Sequence, residues 1–282
     1  MTLHKKLKHI RVGKSNLHTH TNFCDGKGEP EEFVQKAIEK GFEMIGFSSH
    51  AFLPVPTDWT IKEIDFPLYI AEINRLKKAY SNRIEILSGL EVDYIPGIHG
   101  PSCFRSIDKA KLDYIIGSVH FIPVKNHPRK YLEIDFNPVQ MKQIIDEGYG
   151  GDSREMIRMY YGLVREMLLN DPPDILGHLD LVKKFNGENI FFDELESYYC
   201  EEIEKTLAVL SKTPTILEVN TAPIYRGLDD EPYPSKPFLK MCRGYSIPIV
   251  LNSDAHFPDA LDGGYAEASL ILHEAGYDMM GE

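Results

Sequence analysis

Long apolar runs are missing from this chain. Nowhere do about 18 apolar residues follow one another, which excludes a membrane-spanning helix. Blocks of lysine and arginine are missing as well. The formal net charge is −12, from 31 basic against 43 acidic residues, so the basic footprint of a broad nucleic-acid binder is absent. Any phosphorylated substrate must be drawn in locally, by bound metal or a few arginines, against the global field. Cysteine is scarce. Cys24, Cys103, Cys200 and Cys242 are far apart and show no C-x-x-C spacing, and they read as free thiols in a reducing compartment. The basic N-terminus, MTLHKKLKHIRVGKSN, lacks the apolar run of a signal peptide. Together these absences predict a cytoplasmic protein.

What is present suits one large globular unit. The chain is 43% hydrophobic and 26% charged, enough for a sizeable core with an ordinary surface. At 282 residues it exceeds a typical domain of ~150 residues, yet α/β barrels of ~200–250 residues are commonly one domain. No linker or shift of composition divides it, so a single domain over 1–282 is expected.

One stretch organises the rest: Ser-Asn-Leu-His18-Thr-His20-Thr-Asn-Phe-Cys-Asp25-Gly. Leu17 ends a short predicted strand. In extended backbone, residues two apart point the same way, so His18 and His20 can aim both imidazoles at one ion. Asp25 follows in a loop where Gly26 and Gly28 permit a tight turn. Imidazole with carboxylate is a donor mixture that divalent transition metals accept.

Periodicity then yields about seven strand–helix units. Glu29-Pro30-Glu31-Glu32 starts a helix with proline and early acids. Strands are read at Met44–Phe47, Ile84–Leu90, Leu112–Val119, Asp174–Gly177, Thr215–Val219 and Pro248–Leu251. Pro123–Gly151 is expected to be irregular, with a short helix near Met141–Ile145. Strand–helix alternation implies a parallel sheet under helical cover, and strands apolar on both faces suit a closed barrel.

His18 with His20, His50, Glu91, His120, His178, and Asp254 with His256 each fall at or just beyond the C-terminal end of a different predicted strand. Barrel active sites are built at that face. Any one such histidine is more often a hydrogen-bonded structural residue; their shared placement predicts a metal cluster. His4, His9, His99, His127 and His273 have no strand-end context and are expected at the surface.

The constellation resembles the polymerase-and-histidinol-phosphatase (PHP) superfamily of metal-dependent phosphoesterases. The matching motifs are His18-x-His20 with Asp25, His50, Glu91, His120, His178 and Asp254-x-His256, in that order over nearly the whole chain. Gly117-Ser-Val-His120, Leu176-Gly-His178-Leu-Asp180, Glu218-Val-Asn220-Thr and Tyr233-Pro-Ser235 look most like the monofunctional histidinol-phosphate phosphatases of that superfamily. The resemblance implies a distorted (β/α)7 barrel holding three divalent ions of Mn, Fe, Zn or Co. One would be held by His18, His20, Glu91 and Asp254. A second would share Glu91 and add His120 and His178, and a third would take Asp25, His50 and His256. Many superfamily members carry histidine where this chain has Asp25, a harder donor that favours Mn or Fe. The implied reaction is hydrolysis of L-histidinol phosphate to L-histidinol and phosphate, with Glu91 bridging two metals ~3.5–4 Å apart that activate a shared water.

Beyond the metal ligands, Asp180 and His256 are candidates for the proton that the leaving alkoxide needs; Asp180 serves equally well as a helix cap. Arg158 and Tyr161, on one helical face with Arg154 and Arg165, are the first candidates for substrate contact. Arg226, following Asn220, is second, and Asp229, Asp230 or Glu231 are expected to face the cationic end of histidinol. Two other functions fit less of the pattern: a phosphoesterase acting on nucleotides, and a non-catalytic metal-binding domain. Oligomeric state has no marker in the sequence.

Overall fold

The computed structural model describes residues 2–55, 57–105, 112–125 and 127–277. Seven parallel strands neighbour one another in chain order. They are β1 (Ser15–Asn16), β2 (Met44–Phe47), β3 (Glu85–Asp93), β4 (Tyr114–Ser118) and, after an antiparallel pair β5 (Phe121–Val124) and β6 (His127–Glu133), β7 (Ile175–Leu176), β8 (Ile216–Asn220) and β9 (Ile249–Asn252). The two ends of the sheet meet just past β1 and β9. There the His20 amide donates to the Ala255 carbonyl at 2.8 Å, and the Ala255 amide donates to the His18 carbonyl at 3.0 Å. The sheet is thus a nearly closed seven-stranded barrel, and its seam lies between His18/His20 and Asp254/His256.

Helices cover the outside because their apolar stripes face the strands. Pro30–Glu39 begins with a capping box between Glu29 and Glu32 and buries Phe33, Val34 and Ala37. Inside the barrel, Leu17, Met44, Leu87, Tyr114, Ile116, Ile175, Ile216 and Val250 pack together, joined by Leu3 from the N-terminal helix Leu3–Leu7. Tyr114 crosses this interior and donates to the Leu17 carbonyl at 2.5 Å. Its ring fits because Gly46 and Gly89 have no side chains; a Cβ on Gly89 would lie 2.5 Å from the ring. Gly89→Ala is therefore expected to lower stability by ~1–3 kcal/mol through overpacking. A denaturant midpoint equal to wild type would show that the ring has room to move.

Three local expectations are corrected. Residues from Pro123 onward are not simply irregular: β5 and β6 form a hairpin ribbon with a bulge between Pro123 and Val124. Its only buried alternation in β5 is Ile122 and Val124, too short a period to read among prolines. The short helix expected near Met141–Ile145 is Pro138–Gln143, which Asn137 caps, and it runs on into a π turn at Ile144–Gly148. Finally, β3 does not stop at Leu90 but continues through Asp93, so Glu91 and Asp93 share one side of an extended strand.

Candidate metal centre

The strand ends converge on one carboxylate. Glu91, 1% exposed, places Oε2 3.0 Å from His50 Nδ1, 3.1 Å from His18 Nε2 and 3.4 Å from His20 Nε2. Its Oε1 lies 3.0 Å from His178 Nε2 and 3.6 Å from His120 Nε2, and accepts a 2.6 Å hydrogen bond from Ser118. Asp254 Oδ1 is 3.2 Å from His20 Nε2 and 3.7 Å from His18 Nε2; Asp25 Oδ2 is 3.3 Å from His256 Nε2. The donor atoms fall into three groups, each mutually within 4.8 Å: His18, His20 and Asp254; Glu91, His120 and His178; His20, Asp25, His50 and His256.

Hydrogen bonding does not account for this packing. Nε2 of His18, Nε2 of His20 and Nδ1 of His50 are buried without a hydrogen-bond partner, although carboxylate oxygens stand close by. A buried polar atom left so costs about 1–3 kcal/mol. Three at one point, beside carboxylates and off hydrogen-bond alignment, match what cations demand of their ligands. The donor chemistry fits divalent transition metals.

Charge in the cluster follows from the same contacts. Burial alone would push the Glu91 carboxyl up, but His18, His50 and His178 reverse this and hold it well below the usual range. Burial opposes charge on His18 too, yet Glu218, Glu91 and Asp254 raise its pKa, and Asp93 chiefly raises that of His120 against burial. His20 goes the other way: burial and the neighbouring His256 and His50 push it down to about 3. Imidazoles with raised pKa carry protons at neutral pH and must lose them to bind metal. Metal uptake near neutral pH is therefore expected to release protons, and apparent affinity to fall as pH is lowered. Calorimetric titration in two buffers of different ionisation enthalpy checks this; equal heats in both would contradict it.

Two residues that sequence reasoning missed stand behind the histidines. His120 Nδ1 donates to Asp93 at 2.7 Å, which turns Nε2 toward Glu91. His18 Nδ1 donates to Glu218 at 2.6 Å. Both are buried acids within strands, and the one hint in the sequence is that Asp93 stands two residues from Glu91. His99, expected at the surface, is 8% exposed, its Nδ1 2.8 Å from the Asp93 carbonyl and its Nε2 3.1 Å from that of Phe52.

A cleft of ≈ 140 Å³ opens over the centre, and beyond the candidate ligands its polar lining is Asp135, Lys184, Arg226 and Tyr233. Lys184 Nζ donates to Asp135 Oδ2 at 3.1 Å. Arg226 Nη2 lies 2.9 Å from His256 Nδ1 and 3.3 Å from the Asp254 carbonyl. An adjoining hollow shares Asp25, His50, His120 and Asp135 and adds Trp59, Glu133 and Phe136. Trp59 stands edge-on to His50, with ring centroids 4.8 Å apart.

The structure leaves several candidates outside this cleft. Tyr161 is 0% exposed and donates to the Tyr199 hydroxyl at 3.3 Å. Arg154 and Arg165 pair with Glu196 and Glu202, each at 2.7 Å, and Arg158 is exposed away from the cleft. Helical spacing identified a shared face, but its Tyr161 and Arg165 meet the helix Ser197–Leu210 rather than the cleft. Asn220 is buried beneath the site, where its Nδ2 donates to Glu218 at 3.1 Å and its Oδ1 accepts from the Ala222 amide at 2.9 Å. Asp180 is also buried off the cleft; its Oδ2 accepts from the Ser235 amide at 3.2 Å, and burial pushes its carboxyl up to about 7. Nor does its side chain cap the following 3-10 turn. Of the two candidates for proton donation, only His256 faces the cleft. Asp229 pairs with Lys183 at 3.0 Å and lines a neighbouring depression with Asp230 and Glu231.

Known proteins share this sequence pattern and fold. The family model described as PHP domain matches residues 16–222, which takes in every candidate ligand except Asp254 and His256. The histidinol-phosphatase of Bacillus subtilis is 30% identical over 92% of this chain and 98% of its own length. Among solved structures, a Listeria monocytogenes protein assigned as a histidinol phosphatase superposes with a TM-score of 0.77 at 27% identity, over 89% of this chain and 98% of that one. The histidinol phosphate phosphatase of Lactococcus lactis, solved with zinc, L-histidinol and phosphate, gives a TM-score of 0.72 at 22% identity over 95% of each chain, a likeness of fold. Among the described residues no helix is long and apolar enough to cross a membrane.

Proposed function

The chain belongs to the PHP domain family, and on that premise we propose that it is a metal-dependent phosphomonoesterase hydrolysing L-histidinol phosphate to L-histidinol and phosphate. The observation that carries this is the set of three donor groups meeting at Glu91, with buried imidazole nitrogens that no hydrogen bond satisfies. Relatives named as histidinol-phosphatases over nearly their full length support the substrate, and the zinc, L-histidinol and phosphate of the Lactococcus lactis structure agree with it.

Three divalent ions fit the donor set: one on His18, His20, Glu91 and Asp254, one on Glu91, His120 and His178, and one on Asp25, His50 and His256. When bound, such ions neutralise phosphoryl oxygens and make water nucleophilic at neutral pH. The protein's own groups do the rest. Arg226 and Lys184 are the cations lining the cleft and offer charge-assisted hydrogen bonds to phosphate. Arg226 Nη2 lies against His256 Nδ1, which also has the Asp254 carbonyl 3.0 Å away. Asp135, kept ionised against burial by His120 and Lys184, supplies the negative charge that the cationic amine of histidinol requires. Trp59 and Phe136 give its imidazole an aromatic wall.

Asp135→Asn is expected to raise KM for L-histidinol phosphate about tenfold, the worth of one charge-assisted contact, while leaving aryl phosphate hydrolysis nearly unchanged. Equal losses on both substrates would remove Asp135 from amine recognition. The proposed activity itself is tested by phosphate release from a panel of L-histidinol phosphate, aryl phosphates and nucleoside monophosphates. The highest kcat/KM is expected on L-histidinol phosphate. Faster turnover of a nucleotide would overturn the substrate and keep the chemistry.

A further inference from the structure

Glu218 is 0% exposed, sits on β8 inside the barrel wall, and belongs to none of the three donor groups. An ionised carboxylate buried so deeply needs all its acceptor capacity filled. Four donors fill it, from four different parts of the barrel wall. Oε1 accepts from His18 Nδ1 at 2.6 Å and from Asn252 Nδ2 at 2.9 Å. Oε2 accepts from the His178 backbone amide at 2.9 Å and from Asn220 Nδ2 at 3.1 Å. Asn252 in turn accepts from the Leu17 amide at 2.8 Å, the residue preceding His18.

Each oxygen thus serves a different donor group. The Oε1 side fixes the proton of His18 on Nδ1 and leaves Nε2 bare toward Asp254 and Glu91. The Oε2 side holds the turn at the end of β7 from which His178 reaches Glu91. From this division, and resting on the metal reading of the cluster, we propose that Glu218 is a positioning residue that couples two metal sites without touching either ion. It sets the ring orientation of His18 in one site and the backbone of His178 in the other. Asp93 makes the contrasting case: it contacts only His120 among the candidate ligands by its side chain, so it serves one site.

The two carboxylates give different signatures. Glu218→Met keeps approximate volume and removes both oxygens. It is expected to weaken binding of two of the ions by roughly ten- to a hundredfold, the usual range when a partner of a metal-bound histidine is lost. Asp93→Ala is expected to weaken one. Glu218→Gln keeps one oxygen but turns an amide donor against N–H groups on the other side, so it should weaken one ion more than the other. The readout is stepwise titration of metal-free protein with cobalt, followed by visible absorption and metal content, on samples with the circular dichroism of wild type.

Loss at two steps in Glu218→Met beside loss at one step in Asp93→Ala supports the coupling. Wild-type affinities in a folded Glu218→Met, or loss confined to one step, overturn it. If Glu218→Met does not fold, Glu218→Gln decides, since unchanged affinities there overturn the proposal equally. Wild-type protein that takes up no cobalt would overturn the metal reading itself, and the coupling with it.

Discussion

Glu91→Ala is expected to reduce kcat/KM for L-histidinol phosphate by on the order of a thousandfold or more, beyond what loss of one oxyanion donor usually does. The size follows from position. Glu91 places five imidazoles within 3.6 Å of its two oxygens, so its removal takes the shared ligand from two of the proposed ions and leaves the histidines facing one another. Metal content of the purified variant should fall with the activity. Wild-type activity in Glu91→Ala would mean that the carboxylate is only a buried partner for histidines, and the proposed centre would lose its middle.

Arg226→Ala is expected to cost roughly ten- to a hundredfold in kcat/KM on any phosphomonoester, the range for a hydrogen bond between charged groups. Unlike Asp135→Asn, it should act on aryl phosphates and L-histidinol phosphate alike, because phosphate is common to both. Arg226 also touches His256, so metal content belongs in the same measurement. A loss of activity with full metal content assigns the effect to phosphate. A loss of metal with full activity on the remaining protein would assign Arg226 to holding His256 instead.

Much of the candidate site was legible in the sequence because ligands of a barrel sit where apolar runs stop. His18, His20, His50, His120, His178, Asp254 and His256 each follow such a run, and the fold brings them together around Glu91. Residues acting from inside elements were harder to read. Glu218 and Asp93 sit within strands, and an acid in an apolar run reads as an interruption until its partners across the barrel are known. Of the substrate candidates, Arg226 lines the cleft, while those on the helix Ser153–Asn170 lie outside it for a different reason. The spacing of Arg154, Arg158, Tyr161 and Arg165 correctly describes one side of a helix, but period alone does not say whether that side meets a cleft or another helix. Asp135 and Trp59 lie in segments with no period at all, the first just after an unread hairpin, so nothing marked them.

The measurement that bears most directly on this account is phosphate release from L-histidinol phosphate by metal-free protein as Mn or Zn is added back, with Glu91→Ala in parallel. The account predicts no turnover without metal, activity that rises with the equivalents bound, and a variant that stays at the metal-free level throughout. Full activity in the chelated wild-type protein, or restoration of Glu91→Ala by the same additions, would contradict it.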